Sequence, residues 1–319
     1  MKHQRISLSI AVASVMSAAA FAPAAYAIDV TAGDWKLSID GNVNAHYIYS
    51  RCDTNPATIA GGLACVDTDS SSSSVSNGLL PAALSISGAT TQGAYDIGFT
   101  FGLYPGISTN DGGSPNLQNT PGGTIHTALG TAGLDIRQVF LTFGNKDMGT
   151  VMAGRNIGFF GGDAILNDMT LLGVGAGNGS YAAPANTSLG SIGLGYIYTD
   201  WLSQIDYTTP DIMGTGIKAT VGIFDPLNTL SQLPASKKAP GIHFKVAYTA
   251  GPLYLSSSGL YQQQRNTTTG VESALTNGNY NSWAIDFGGK YDIAGFEGAL
   301  WYYVGKGVGT TGLFVNSDD

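Results

Sequence analysis

The residues able to carry chemistry in this chain are few and scattered. Past the N-terminal stretch the histidines are His46, His126 and His243, far apart and without zinc-ligand spacing. A hydrolase would need His46 or His243 beside a serine, and both sit where any polar strand residue would. "GVGAGNG" is glycine-rich but does not spell G-x-G-x-x-G and has no βαβ context, so it marks no nucleotide site. "TNDGGSPN" lacks the spacing and terminal glutamate of an EF-hand loop and reads as a solvated turn. Cys52 and Cys65 share one loop, "RCDTNPATIAGGLACVD", with no histidine nearby to complete a metal site. In an exported chain such a pair reads as a disulfide, which stabilises a loop of this size by roughly 3 kcal/mol. No enzymatic activity and no cofactor are expected.

The elements around these residues alternate. In "WKLSIDGNVNAHYIYS", Trp35, Leu37, Ile39, Val43, Tyr47 and Tyr49 share one phase, against Lys36, Ser38, Asp40, Asn42, Asn44 and His46. A period of two marks a strand with unlike surroundings on its two faces. "GAYDIGFTFGLY", "TGIKATVGI", "GIHFKVAYTA" and "NYNSWAIDFGGKYD" repeat it, and their charges keep to the polar phase. A sandwich strand buries its apolar phase, whereas a membrane barrel turns that phase toward lipid and its polar phase toward water. "LDIRQVFLTF" and "TVMAGR" are apolar on both faces, as expected where something packs against them from inside.

The N-terminus supports export. "MKHQR", an apolar run and "APAAYA" form a signal peptide, residues 1–27, cut after Ala27. Losing Lys2 and Arg5 takes the net charge from −8 to −10, which argues against nucleic acid as a partner. With 45 glycines and only 11% charged residues, the composition suits short strands and turns better than a helix-rich soluble enzyme.

Long and short connections take turns along the chain. The stretches near 51–77, 105–133, 156–192, 225–240 and 265–279 are long, while "SGATTQG", "GNKDMG", "TPDIMGTG", "TAGP" and "DIAGF" are short. Long loops at one end and tight turns at the other are the asymmetry of an outer-membrane barrel. Eleven strands are expected, the last near 296–305. An odd count cannot close a single-chain barrel, so residues 28–319 read as a C-terminally incomplete barrel of about 16 strands when whole.

Two stretches now carry a resemblance. "DIRQVFLTFGNKDMGTVMAGRNIGFFGG" resembles the fourth strand, turn and fifth strand of Gram-negative general porins, and "SQIDYTTPDIMGTGIKATVGIFD" is similar to their sixth and seventh strands. The opening "GDWKLSIDGNVNAHY" fits the same family. The resemblance implies an all-β transmembrane barrel in the outer membrane, a homotrimer among its lipids, passing small hydrophilic solutes and ions by diffusion. It also implies that the third long loop, about 156–192, folds into the lumen and sets its acids against basic wall residues. The acids would be Asp163 and Asp168, and the wall candidates Arg137 and Arg155, with Lys36 and Lys218 beside them. Opposed charges across such an eyelet make a transverse field that sets ion preference. Asp163 and Asp168 as plain solvated loop acids, and Arg137 and Arg155 as pins for the loop, remain open. Trp35, Tyr47, Tyr49, Trp201, Trp301 and Tyr302 suit an interfacial girdle. An exported all-β adhesion protein and a substrate-selective porin are the alternative readings.

Overall fold

The computed structural model of the chain describes residues 27–51, 71–107, 134–177, 187–227, 239–264, 280–310 and 312–313. The signal peptide, the Cys52–Cys65 pairing and His126 lie outside the described residues.

Regular structure here is almost all strand: β1 Ile28–Ala32, β2 Trp35–Asn42, β3 His46–Arg51, β4 Ser71–Ser76, β5 Ala83–Gln92, β6 Tyr95–Pro105 and β7 Leu134–Asn145. Next come β8 Gly149–Ile157, β9 Trp201–Thr208, β10 Ile217–Phe224, β11 Gly241–Ala250, β12 Leu253–Gln264, β13 Tyr280–Ile293 and β14 Phe296–Lys306. Twelve of them form one antiparallel sheet in the order β1-β2-β5-β6-β7-β8-β9-β10-β11-β12-β13-β14, and β3 with β4 makes a separate hairpin. Among the described residues the sheet is not closed: β1 and β14 are its edges. Because sequential neighbours pair antiparallel, tight turns fall at one end and long connections at the other. Gly93, at φ 62°, is typical of those turns, where the twist of the strands demands a left-handed backbone.

The face question is answered by exposure. On β13, Phe287 is 50% exposed and Asp286 only 4%; on β11, Ile242 is 50% exposed and His243 1%. The apolar phase is thus the outer surface and the polar phase is covered, the reverse of a sandwich.

Among the described residues there are fourteen strands, against the eleven expected. β1 is too short for alternation to register, and β4 is the serine run that reads as loop. The first long strand is broken between β2 and β3 by Asn44. Its Nδ2 donates to Asn42 Oδ1 and to the Leu80 carbonyl, both at 2.9 Å, and its Oδ1 accepts the Gly78 N–H at 2.9 Å. Asn77 adds a bond to the Asn44 carbonyl at 3.0 Å, so two asparagines fix the bend.

The mixed phase of β7 has a local cause. Gly102 pairs with Gln138 and Leu103 with Ile136, leaving Arg137 as the extra residue of a bulge. The bulge turns both Arg137 and Gln138 inward while Ile136 and Val139 stay outside.

Candidate constriction site

The described parts of the connection between β8 and β9, residues 158–177 and 187–200, lie on the inner face. Its neck is closed by the Gly158 N–H donating to the Asp200 carbonyl at 3.0 Å. Gly161 follows at φ 75°, and an added Cβ would stand 2.6 Å from the Ile197 carbonyl oxygen. That backbone aims the Gly161 N–H at Asp286 Oδ2 on β13, 2.7 Å away. A single helical turn, α1 Gly162–Leu166, comes next. Phe160 and Ile197 of the loop pack with Leu202, Phe224, Leu260 and Ala284 of the wall, together with Val308 and Leu313. Farther on, Leu79 and Leu80 donate to the carbonyls of Gly173 and Leu171 at 2.9 Å, and Ser188 donates to that of Gly78 at 3.0 Å. The loop is therefore tied to β13 at one end and to the approach to β5 at the other, strands far apart in the sheet.

The two loop acids have different surroundings. Asp163 accepts from Lys245 Nζ of β11 at 2.5 Å and from the Tyr254 hydroxyl of β12 at 2.8 Å. Burial pushes its carboxyl up, but the Lys245 charge and hydrogen bonds from Lys245, Ser256 and Tyr254 outweigh that and hold it below the ordinary carboxylate range. Asp168 turns into the loop itself. It accepts the Thr170 N–H and hydroxyl, the Ser191 N–H and hydroxyl, and the Tyr196 hydroxyl, at 2.6 to 3.1 Å. Partial burial works against its charge, yet these donors also keep it below the usual range. At the neck, burial pushes the Asp200 carboxyl up, against the Trp201 N–H and the charge of Arg155.

The basic candidates separate likewise. Arg137 is buried, paired with Asp135 at 2.7 Å and stacked on Tyr104, its guanidinium carbon 4.9 Å from the ring centre. Arg155 pairs in register with Val139 and Ser203, on the face opposite Gln204 and Asp206. Lys36 and Lys218 are exposed on the polar phase, close to tight turns. None of these four supplies the partner of Asp163; Lys245 does, a residue visible in the sequence only as a charge on the polar phase of "GIHFKVAYTA". Asp206 of β9 and His243 of β11 meet at 2.6 Å across Gly222 of β10, beneath Phe159, whose ring stacks on the imidazole at 4.1 Å. Trp301, expected at the interface, pairs with Gly288 on the inner phase and packs against the loop's second apolar cluster.

The sequence pattern of Gram-negative porins matches residues 11–316. The chain belongs to that family. Solved structures agree on the fold of this porin. OmpF of Salmonella typhi, in complex with daunomycin, superposes at a TM-score of 0.55 with 15% identity, covering 88% of this chain and 68% of that one. The outer membrane channel DcaP of Acinetobacter baumannii superposes at 0.55 with 13% identity, covering 91% of this porin and 71% of its own chain. No protein of curated function matches the sequence. As a member of the family, the porin is an outer-membrane channel for passive diffusion of small solutes, and it is not an enzyme. Its fold is the porin β-barrel, of which the described strands form an open sheet.

Proposed function

We propose that the loop from Gly158 to Asp200 is the constriction of this channel and that the Asp163–Lys245 pair sets its charge. The reading is supported above all by the loop's attachment to two distant parts of the inner wall, which carries it across the polar face instead of along it. With Asp163 neutralised by Lys245, and Arg137 by Asp135, the acidic balance of the mature chain, a net −10, leaves a modest cation preference. In this reading Asp163 is an eyelet residue, Asp168 a brace of the loop, and Arg137 a pin for the wall. Arg155 belongs to the outer rim near the loop's neck, and Lys36 and Lys218 to the lumen near the turns. Cleavage after Ala27, a Cys52–Cys65 disulfide and a homotrimer in the Gram-negative outer membrane complete the proposal.

The test is single-channel current in a planar bilayer, with the chain extracted in detergent and a salt gradient across the membrane. Ohmic steps in groups of three with a cation-side reversal potential are expected. A chain that stays soluble without detergent and never conducts overturns the reading.

A further inference from the structure

At the base of the loop, two acceptors compete for one hydrogen. The Ser258 hydroxyl oxygen lies 2.9 Å from the Phe159 carbonyl oxygen and 2.7 Å from Asp286 Oδ1. A serine hydroxyl has a single hydrogen to donate. The other bonds of the Asp286 carboxyl come from backbone: Oδ1 accepts the Ser258 N–H at 2.8 Å and Oδ2 the Gly161 N–H at 2.7 Å. When Asp286 is ionised, the charge-assisted acceptor claims the hydroxyl hydrogen, and the Phe159 carbonyl keeps only the Gly162 N–H of its own loop, at 3.0 Å. When Oδ1 is protonated, the acid O–H donates to Ser258 Oγ, and the serine hydrogen turns to the Phe159 carbonyl. The protonated arrangement joins loop to wall by one hydrogen bond more.

We propose that Asp286, Ser258 and Phe159 form a proton-operated latch on the constriction loop. A proton taken from lumen water onto Asp286 tightens the loop base, and its return to water loosens it. The inference rests on reading this loop as the constriction. Asp286 is almost fully buried, and the charged and titratable groups around it can be named. Asp163 faces it from the loop, and Lys245 of β11 is committed to Asp163. Tyr254 of β12 also bonds Asp163, Tyr303 of β14 stands directly across from Asp286, and His243 of β11 is held by Asp206. Among the described residues the hydrogen-bond partners of Asp286 are Gly161 and Ser258.

Hydrogen–deuterium exchange of residues 158–168, in the full chain in detergent and corrected for the intrinsic pH dependence of exchange, reads the latch directly. Protection in the unmodified chain should rise about fivefold from mildly alkaline to mildly acidic buffer, the worth of one net hydrogen bond. Asp286→Asn, which cannot ionise, should lose the latch's part of the step; its level is not that of the protonated acid, because the amide nitrogen beside Ser258 Oγ also meets the Ser258 N–H. Ser258→Ala should show a smaller step, the part left to Asp200, and Ser258→Thr, which keeps the hydroxyl, should restore the full one. An equal step in Ser258→Ala and the unmodified chain overturns the latch, with or without a folded Asp286→Asn. If exchange follows the latch while single-channel noise ignores it, the latch stands and the loop is not the constriction.

Discussion

Lys245 and Asp163 are 82 residues apart in the chain and 2.5 Å apart in space. One belongs to a wall strand and the other to the first helical turn of the loop laid across it. The pair keeps some access to lumen water, with side-chain exposures of 24% and 12%, unlike Asp206–His243 at 2% and 1%. It neutralises the charge that an acidic loop would otherwise present.

Removing either partner should therefore move ion preference in opposite directions. Asp163→Asn leaves the Lys245 ammonium alone and should shift the reversal potential toward anions. Lys245→Gln should shift it toward cations. Each change in permeability ratio should be about twofold, the effect of one charge acting over about 10 Å of water. A double variant close to the unmodified channel would show that the two act as a pair.

Asp168 should behave as a structural group. Asp168→Asn turns an amide toward donors that now meet a carboxylate and should cost about 2 to 3 kcal/mol locally; Tyr196→Phe should cost about 1. Faster amide exchange at Thr170 and Ser191 checks this, with ion preference changing less than in Asp163→Asn.

Acid should act on the loop in two stages. Asp200 is raised by burial, so its ionised form opposes folding above its folded value, and that opposition is relieved as pH falls. Asp163 and Asp168 are depressed, so their stabilisation is complete above the unfolded value near 4 and lost as pH falls through the folded values. Open-channel noise recorded against pH should fall in mild acid and rise steeply below about pH 4.

The bend between β2 and β3 should depend on Asn44. Asn44→Ala leaves the Gly78 N–H and the Leu80 carbonyl without their partner and should cost about 1 to 3 kcal/mol. Urea unfolding in detergent measures the loss, and faster exchange near Leu79 and Leu80 locates it.

Much of this architecture was legible in the sequence because alternation and turn chemistry are local. Trp283, Ile285 and Phe287 announce their face without any knowledge of neighbours, and "GNKDMG" announces its turn. The Asn44 break was not legible, because an asparagine on the polar phase of a strand looks like any other until Leu80 and Gly78 are brought beside it. The position of Arg137 depends on a bulge whose other half is Gly102, more than thirty residues earlier. For the site, the loop and its acids could be found through the family resemblance, but the partner of Asp163 could not. Lys245 and His243 lie two residues apart on the same phase of β11, and nothing in their order says which meets the loop acid and which the wall acid. Trp301 misleads for a related reason: it is followed by Tyr302, and only the register with β13 shows which ring turns inward.

The Asp206–His243 contact joins strands that share no backbone hydrogen bonds, since β10 lies between them. Strands two places apart are separated by about 9 to 10 Å in a flat sheet. Two side chains of this size close that distance only where the sheet is concave, and Gly222 leaves the hollow between them open. An alanine there would run into the Asp206 carboxylate. The bond is thus a chord drawn across an arc, made where the wall curves at β10. A missing methyl group leaves the room for it.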